Sequence, residues 1–395
     1  MIKIMSGSVF LFNPDNDMAL ATFSPYYKSP AGIVKMASDL ELLPFWIAGD
    51  GDFVKVNDAA LVADFATCTD VSALGVNVGI TDRFLDKPYS PWGWNPALVT
   101  TLRDNGVGDE NLPSDEWLSR YRALSGRNHY AGLLKQLCHI QQTCGLSQVC
   151  DSLTQVVDFM HRHEQVVLKT PWSGSGRGLM KLSLAGLTSS AEGWILRTLR
   201  AQGCIMAEPL FNKVCDFAME FRSEGGAVSF VGYSLFETDS HGNYKGNLLV
   251  SDAAVEERIC SFVSADTLRM TREALLRYFS DNVAYAYSGY FGVDMMVCRD
   301  ADGGYKLHPL VEVNLRMNMG VVSRLFYNRF VDSASNGTYC VEYYRTDGEA
   351  QSFHRGMIER HPLQVIGGKI QKGYLSLTPV SEETRYQIYV AVEEL

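Results

Sequence analysis

The sequence predicts a chain of mixed α/β and α+β class: an open α/β domain at the N-terminus, then a small α/β segment, then a mostly antiparallel sheet with helices. Three observations carry this prediction. Residues 1 to roughly 110 alternate short apolar runs with helix-like stretches, as α/β units do. After about residue 205 the chain turns to long period-two runs separated by glycine pairs, the pattern of antiparallel hairpins. Between these regions a glycine-rich loop, Ser173-Gly174-Ser175-Gly176-Arg177-Gly178, lies between two apolar strands rather than before a helix. At 395 residues the chain exceeds one ordinary core, and the shifts in pattern divide it into 1–115, 116–207 and 208–395.

The opening SVFLFNPDNDMALA has the form of a buried strand, a turn and the start of a helix. NPDND fits a simple capped turn better than a functional loop at the carboxyl end of a first strand, where open α/β sheets bind ligands. FWIAG, ALVADF and VNVGI are the next strand candidates, with PALVTTLRDNG as a helix. Leu133, Leu134, Leu137 and Ile140 then mark a helix that Gly145 would stop. The strand QVVLK, the glycine loop, the strand LMKLS, the helix AEGWILRTLRAQG and the strand CIMAEPL form the middle region. Hairpins follow around Glu224-Gly225-Gly226 and Asp302-Gly303-Gly304, with a helix over DTLRMTREALLRYFSDNV between them. The C-terminal YLSLTPVSEETRYQIYVAVEEL is expected to close the core as a β-hairpin.

A formal charge of −10 and the lack of a clustered basic patch argue against a nucleic-acid surface. The nine cysteines are scattered with no CxxC pair, so they are expected to be reduced thiols rather than a disulfide frame or zinc site. The apolar VFLF is too short for a signal peptide, and no run approaches the ~20 residues of a membrane span. These features point to the cytoplasm and away from a membrane.

In VVLKTPWSGSGRGLM, glycines let successive backbone N–H groups turn toward phosphate oxygens while Lys169 and Arg177 supply charge. The loop is neither a Walker loop nor a Rossmann fingerprint, since both need a following helix. By itself it fits a flexible hairpin as well as a phosphate flap. In LVEVN, alternation turns Val311 and Val313 to one face and Glu312, Asn314 and Arg316 to the other. A carboxylate and a carboxamide side by side suit Mg²⁺, which takes hard oxygen donors and leaves positions for phosphate and water. In GVDMMVC, Asp294 is placed to add a third oxygen, although ordinary polar-face residues would give the same pattern. CDFAMEFR turns Asp216, Ala218, Glu220 and Arg222 outward, where solvated charge is the plain reading.

Taken in order, these segments resemble the ATP-grasp superfamily, whose members hold ATP between two α+β subdomains; the resemblance implies that the first of these, residues 116–207, is a mobile lid. The resemblance covers roughly residues 120 to 325, and the N-terminal part looks like the domain that commonly precedes the grasp. It implies that Lys169 contacts ATP phosphate and that Ser173, Gly174, Ser175, Gly176, Arg177 and Gly178 close over it. It further implies that Glu208 and Leu210 form the adenine hinge, that Asp216 takes the ribose, and that Asp294, Glu312 and Asn314 hold Mg²⁺ or Mn²⁺. Arg316 matches the arginine of the family's Glu-x-Asn-x-Arg pattern, expected to stabilise an acyl phosphate or tetrahedral intermediate. The sequence departs from the family at Arg127, where a lysine is usual, and at Leu315, where a proline is usual. Arg127 keeps the charge and is grouped with the nucleotide-binding residues. The implied activity is ATP-dependent ligation of small-molecule, amino-acid or peptide carboxylates to amines through an acyl phosphate, with a homodimer compatible. Small-molecule phosphotransfer and a non-catalytic nucleotide-binding role are the alternatives.

Overall fold

A computed structural model of the chain describes residues 7–174, 178–238 and 244–394. The N-terminal region contains a four-stranded parallel sheet of β1 (Val9–Leu11), β2 (Phe53–Lys55), β3 (Gly79–Thr81) and β4 (Tyr89–Pro91), in the order β3-β2-β1-β4. Two of its expected strands have other forms. ALVADF lies in the helix Ala59–Thr67, where the Asp58 carboxylate receives the Ala60 N–H at 2.9 Å, and FWIAG begins in a 3₁₀ turn, Leu43–Trp46. A short apolar run does not by itself separate strand from helix, and the acidic residue two positions ahead of Ala60 supplies the local hydrogen bond that starts a helix.

The middle region folds as its own small sheet, with β5 (Gln148–Cys150), β6 (Gln165–Lys169), β7 (Leu179–Ser183) and β8 (Ile205–Pro209) in the order β5-β8-β6-β7, all antiparallel. The helices Leu153–Arg162 and Ser189–Gln202 pack on it, and Val156, Phe159, Leu168, Ile195 and Ile205 form a core separate from the rest of the chain. A segment with its own core is the kind of unit that can pivot without unpacking its neighbours.

The remaining strands make one nine-stranded sheet: β9 (Asn212–Glu224), β10 (Ala227–Thr238), β11 (Tyr244–Leu249), β12 (Gly289–Arg299), β13 (Tyr305–Asn314), β14 (Ser335–Tyr343), β15 (Gln364–Ile366), β16 (Lys369–Ser376) and β17 (Tyr386–Glu394). Its order is β13-β12-β9-β10-β11-β14-β17-β16-β15. Gly225 and Gly226, both at positive φ, turn the β9–β10 hairpin as expected, and β16–β17 form the closing hairpin. The helix Met319–Phe330 covers the middle of the sheet and joins it to the N-terminal region. Trp46 packs edge-on against Phe326 and Phe330 and donates its indole N–H to the Leu377 carbonyl at 2.6 Å. No helix among the described residues is long and apolar enough to cross a membrane.

Candidate functional site

The strand ends that carry the expected site residues meet in a cleft between the middle sheet and the β12–β13 edge of the large sheet. Lys169 closes β6, and Glu208 lies on the adjacent β8. Their side chains are under a tenth exposed and form an ion pair, Nζ to Oε2 at 2.5 Å, while Ser147 donates to the other Glu208 oxygen at 2.9 Å. Lys169 Nζ also reaches the Val311 carbonyl on β13 at 3.5 Å, so this lysine ties the two sides of the cleft together.

Arg127 makes a second tie. Its guanidinium donates to the Thr170 carbonyl at 2.7 Å, to Ser173 Oγ at 2.9 Å and to Glu312 Oε1 at 2.6 Å. A planar fork of donors can serve three acceptors on separate elements at once, which a single ammonium does with less geometric control. Gly178 stands directly over Thr170 and Ser173, where any Cβ would collide with both side chains, and its carbonyl receives the Thr170 N–H at 2.9 Å. The base of the glycine loop therefore needs glycine at that position. Ser175, Gly176 and Arg177 lie outside the described residues.

On the other wall, Asp294 of β12 is directly opposite Glu312 of β13, and Gly292 is opposite Asn314. Asn314 donates its amide to Asp294 Oδ2 at 3.0 Å and accepts from Arg316 at 3.1 Å. Burial, with the Glu312 and Glu220 carboxylates beside it, holds the Asp294 carboxyl well above the ordinary carboxylate range. Carboxylates crowded in this way favour a cation between them. The donor set is two carboxylates and a carboxamide; among the described residues no group of three or more His, Cys, Asp or Glu could hold a metal ion. Carboxylate and carboxamide oxygens are donor types that a hard cation accepts, with its remaining ligands drawn from phosphate and water.

Arg316 follows on the same wall. Its Nε lies 2.8 and 3.0 Å from the two carboxylate oxygens of Asp17, and a terminal nitrogen lies 2.5 Å from Asp17 Oδ2. Burial opposes the guanidinium charge, but the Asp17 carboxylate outweighs it and holds the arginine more firmly protonated than usual. Asp17 belongs to the NPDND segment, so that segment is more than a capped turn. Its neighbours fix it: Asn13 bonds Gly93 in both directions, Asp15 receives the Ser29 hydroxyl at 2.6 Å, and Asn16 receives the Asn95 amide at 3.1 Å.

Two adjoining cavities share Glu312 and Val313. Asp17, Tyr121, Trp172, Ser173, Asn314 and Arg316 line the first, and Arg127, Tyr130, Ser147, Glu208, Leu310 and Val311 line the second. The expected hinge and ribose residues lie close by with local partners. The Leu210 amide donates to the Gln165 carbonyl at 2.9 Å, so its N–H is already committed within the fold, and its side chain is exposed. Asp216 is ion-paired with Lys213 and accepts from the Thr238 hydroxyl.

Two buried residues join this region without having been singled out in the sequence. Glu220, expected to face solvent, is only 1% exposed, accepts from Ser234 at 2.7 Å and from Asn318 at 3.2 Å, and lies opposite Gly292. Side chains at Gly292 or Gly320 would collide with its carboxylate, so two glycines make room for it. His308 on β13 is fully buried, meets Phe211 edge-on at 5.1 Å, and has no hydrogen-bond partner on either ring nitrogen among the described residues. Burial pushes it down to about 4, which keeps it neutral.

Burial pushes Glu220 up to about 7 from the ordinary 4.5. The folded state therefore holds a proton that the unfolded chain releases, and stability falls as pH rises through about 4.5 to 7. The expected loss is about 3 kcal/mol. In chelator, Glu220→Gln should match the parent near pH 5 and exceed it near pH 8 in urea unfolding. Parallel pH profiles would show that Glu220 is not held neutral.

Solved structures share this arrangement of sheets. Biotin carboxylase from Campylobacter jejuni, solved as a β,γ-ATP complex, superposes with a TM-score of 0.53 at 11% identity, over 99% of this chain and 88% of that one. N5-carboxyaminoimidazole ribonucleotide synthetase from Thermus thermophilus gives 0.50 at 12% identity, over 97% and 92%. The chain has the ATP-grasp fold. Rhizobium etli pyruvate carboxylase also superposes, at 0.50 and 13% identity, with 98% of this chain matching 36% of that much longer one. No protein-family model matches the sequence, and no curated protein does. In the ATP-grasp frame, the cleft described above lies between the middle sheet and β12–β13.

Proposed function

We propose that the cleft binds Mg-ATP and that the chain activates a carboxylate for condensation with an amine. The observation that supports this most is the convergence of Lys169, Arg127 and Arg316 on the end of β13, at Val311, Glu312 and Asn314. Each cation is held by a carboxylate of the chain itself, at 2.5 to 2.6 Å. Groups pre-charged and pre-placed in this way can exchange an internal partner for a phosphate or substrate oxygen with little reorganisation.

In this reading Lys169, Arg127 and the loop Ser173 to Gly178 hold the phosphates. Glu208, Leu210 and Asp216, with His308 behind them, surround the base and ribose. Asp294, Glu312 and Asn314 hold the divalent cation, which when bound neutralises charge on the terminal phosphates. Arg316 orients a substrate carboxylate, whose oxygen attacks the γ-phosphorus while the bond to the β-phosphate oxygen breaks and ADP leaves. An amine then attacks the acyl carbon, the bond to the phosphate oxygen breaks, and the nitrogen loses a proton. Most of the acceleration in such a scheme comes from positioning and charge neutralisation. The middle sheet, with its separate core, acts as the lid that excludes water from the acyl phosphate.

Product analysis tests the proposal. Incubation with Mg-ATP and mixed carboxylates and amines should yield ADP, free phosphate and an amide. A stable phosphoester would make the chain a kinase, and ATP binding without turnover under any mixture would make it a non-catalytic nucleotide-binding protein.

A further inference from the structure

We infer that the carboxylate substrate is a zwitterionic α-amino acid, its carboxylate taken by Arg316 and its ammonium by Asp17. The inference rests on the proposed placement of Arg316 at the reacting carboxylate. Its structural basis is the ion pair that forms one wall of the first cavity, beside Glu312 and Asn314. Asp17 and Arg316 face each other through both Asp17 oxygens and two guanidinium nitrogens, with side chains 19% and 16% exposed, so the pair is partly open to the cleft. Gly174 of the glycine loop passes over it: a Cβ there would lie 3.2 Å from Asp17 Oδ2.

A ligand carboxylate that pairs with the Nε edge of Arg316 takes the place of Asp17, which occupies Nε and one terminal nitrogen. A simple carboxylate would leave the Asp17 carboxylate without a cation in a cleft that already holds Glu312 and Asp294. Stranding a charge in this way discriminates strongly against the ligand that causes it. A simple amine would satisfy Asp17 and leave the guanidinium without its carboxylate. A ligand carrying both groups one carbon apart exchanges the internal pair for two new pairs and strands neither charge. The anchorage of the NPDND segment through Asn13, Asp15 and Asn16 fixes where the ammonium would be held. It gives the N-terminal domain a direct part in substrate choice.

The test is a binding comparison on the whole chain, with Mg²⁺ and a non-hydrolysable ATP analogue present. The probes are the twenty common L-amino acids, the matching acids that lack the amino group, and the matching amines that lack the carboxylate. At least one L-amino acid should bind tenfold or more tightly than both of its matched analogues. Asp17→Asn should abolish the preference over the matched acid, and Asp17→Glu, which keeps the charge, should retain it. If no amino acid binds, or if the matched acid binds as well, the inference is overturned while the ligase reading stands. If the ATP analogue itself does not bind, the ligase reading fails first. The wild-type comparison decides the matter even where a variant does not fold.

Discussion

Glu312→Gln is expected to reduce ATP turnover by about 10³-fold while leaving the fold intact. Glu312 is one of two facing carboxylates at the β12–β13 edge, and it is the partner of Arg127 at 2.6 Å. Glutamine keeps an oxygen for Arg127, so the tie between the glycine-loop base and β13 survives in shape. In the proposed reading it removes an anionic donor for the divalent cation, and with it charge neutralisation at the γ-phosphate. Loss of a single preorganised electrostatic group at a reacting centre typically costs 10² to 10³ in rate, and loss of a metal anchor more. Melting temperature and turnover are measured on the same preparation. A folded variant within tenfold of the parent would remove Glu312 from the reaction centre.

The second large effect falls on stability. Lys169→Met should destabilise the chain by about 3 to 5 kcal/mol, because it leaves the Glu208 carboxylate buried without its cation. Both side chains are under a tenth exposed and lie 2.5 Å apart, and the Ser147 hydroxyl alone cannot replace an ammonium. The double variant Lys169→Met with Glu208→Leu should recover most of the loss, since removing both charges removes the stranded one. Urea unfolding of the parent, both single variants and the double variant completes the cycle. If the double variant is as unstable as the sum of the singles, the pair is not what stabilises this wall of the cleft.

Where chemistry follows local periodicity, it was legible in the sequence. Glu312 and Asn314 share a face because strands alternate, but Asp294 meets Glu312 only through a register shift between Asp294 and Met296; the pairing that leaves the Asp302-Gly303-Gly304 turn would have set Asp294 opposite Leu310. Long-range partners leave no such trace. Asp17 and Arg316 are 299 positions apart, and nothing in NPDND distinguishes a clamp on an arginine from a capped turn. Glu220 reads as a solvated residue on an alternating strand; its burial comes from a helix about a hundred residues later, which brings Asn318 and Gly320 over it. His308 could have been noticed as an isolated histidine in an apolar strand, but its missing hydrogen bonds are a property of the packed fold. In the N-terminal region, ALVADF carries no periodicity that separates a buried strand from a short helix, and there the length of the run misled.

The cleft itself is tested most directly by titrating ATP into the whole chain, once with Mg²⁺ and once with a chelator. Saturable one-to-one binding that weakens at least tenfold in chelator, and that weakens to the same degree in Glu312→Gln with Mg²⁺ present, is the result expected from a cation held at Asp294, Glu312 and Asn314. No saturable binding, or binding indifferent to both the cation and Glu312, would contradict the account.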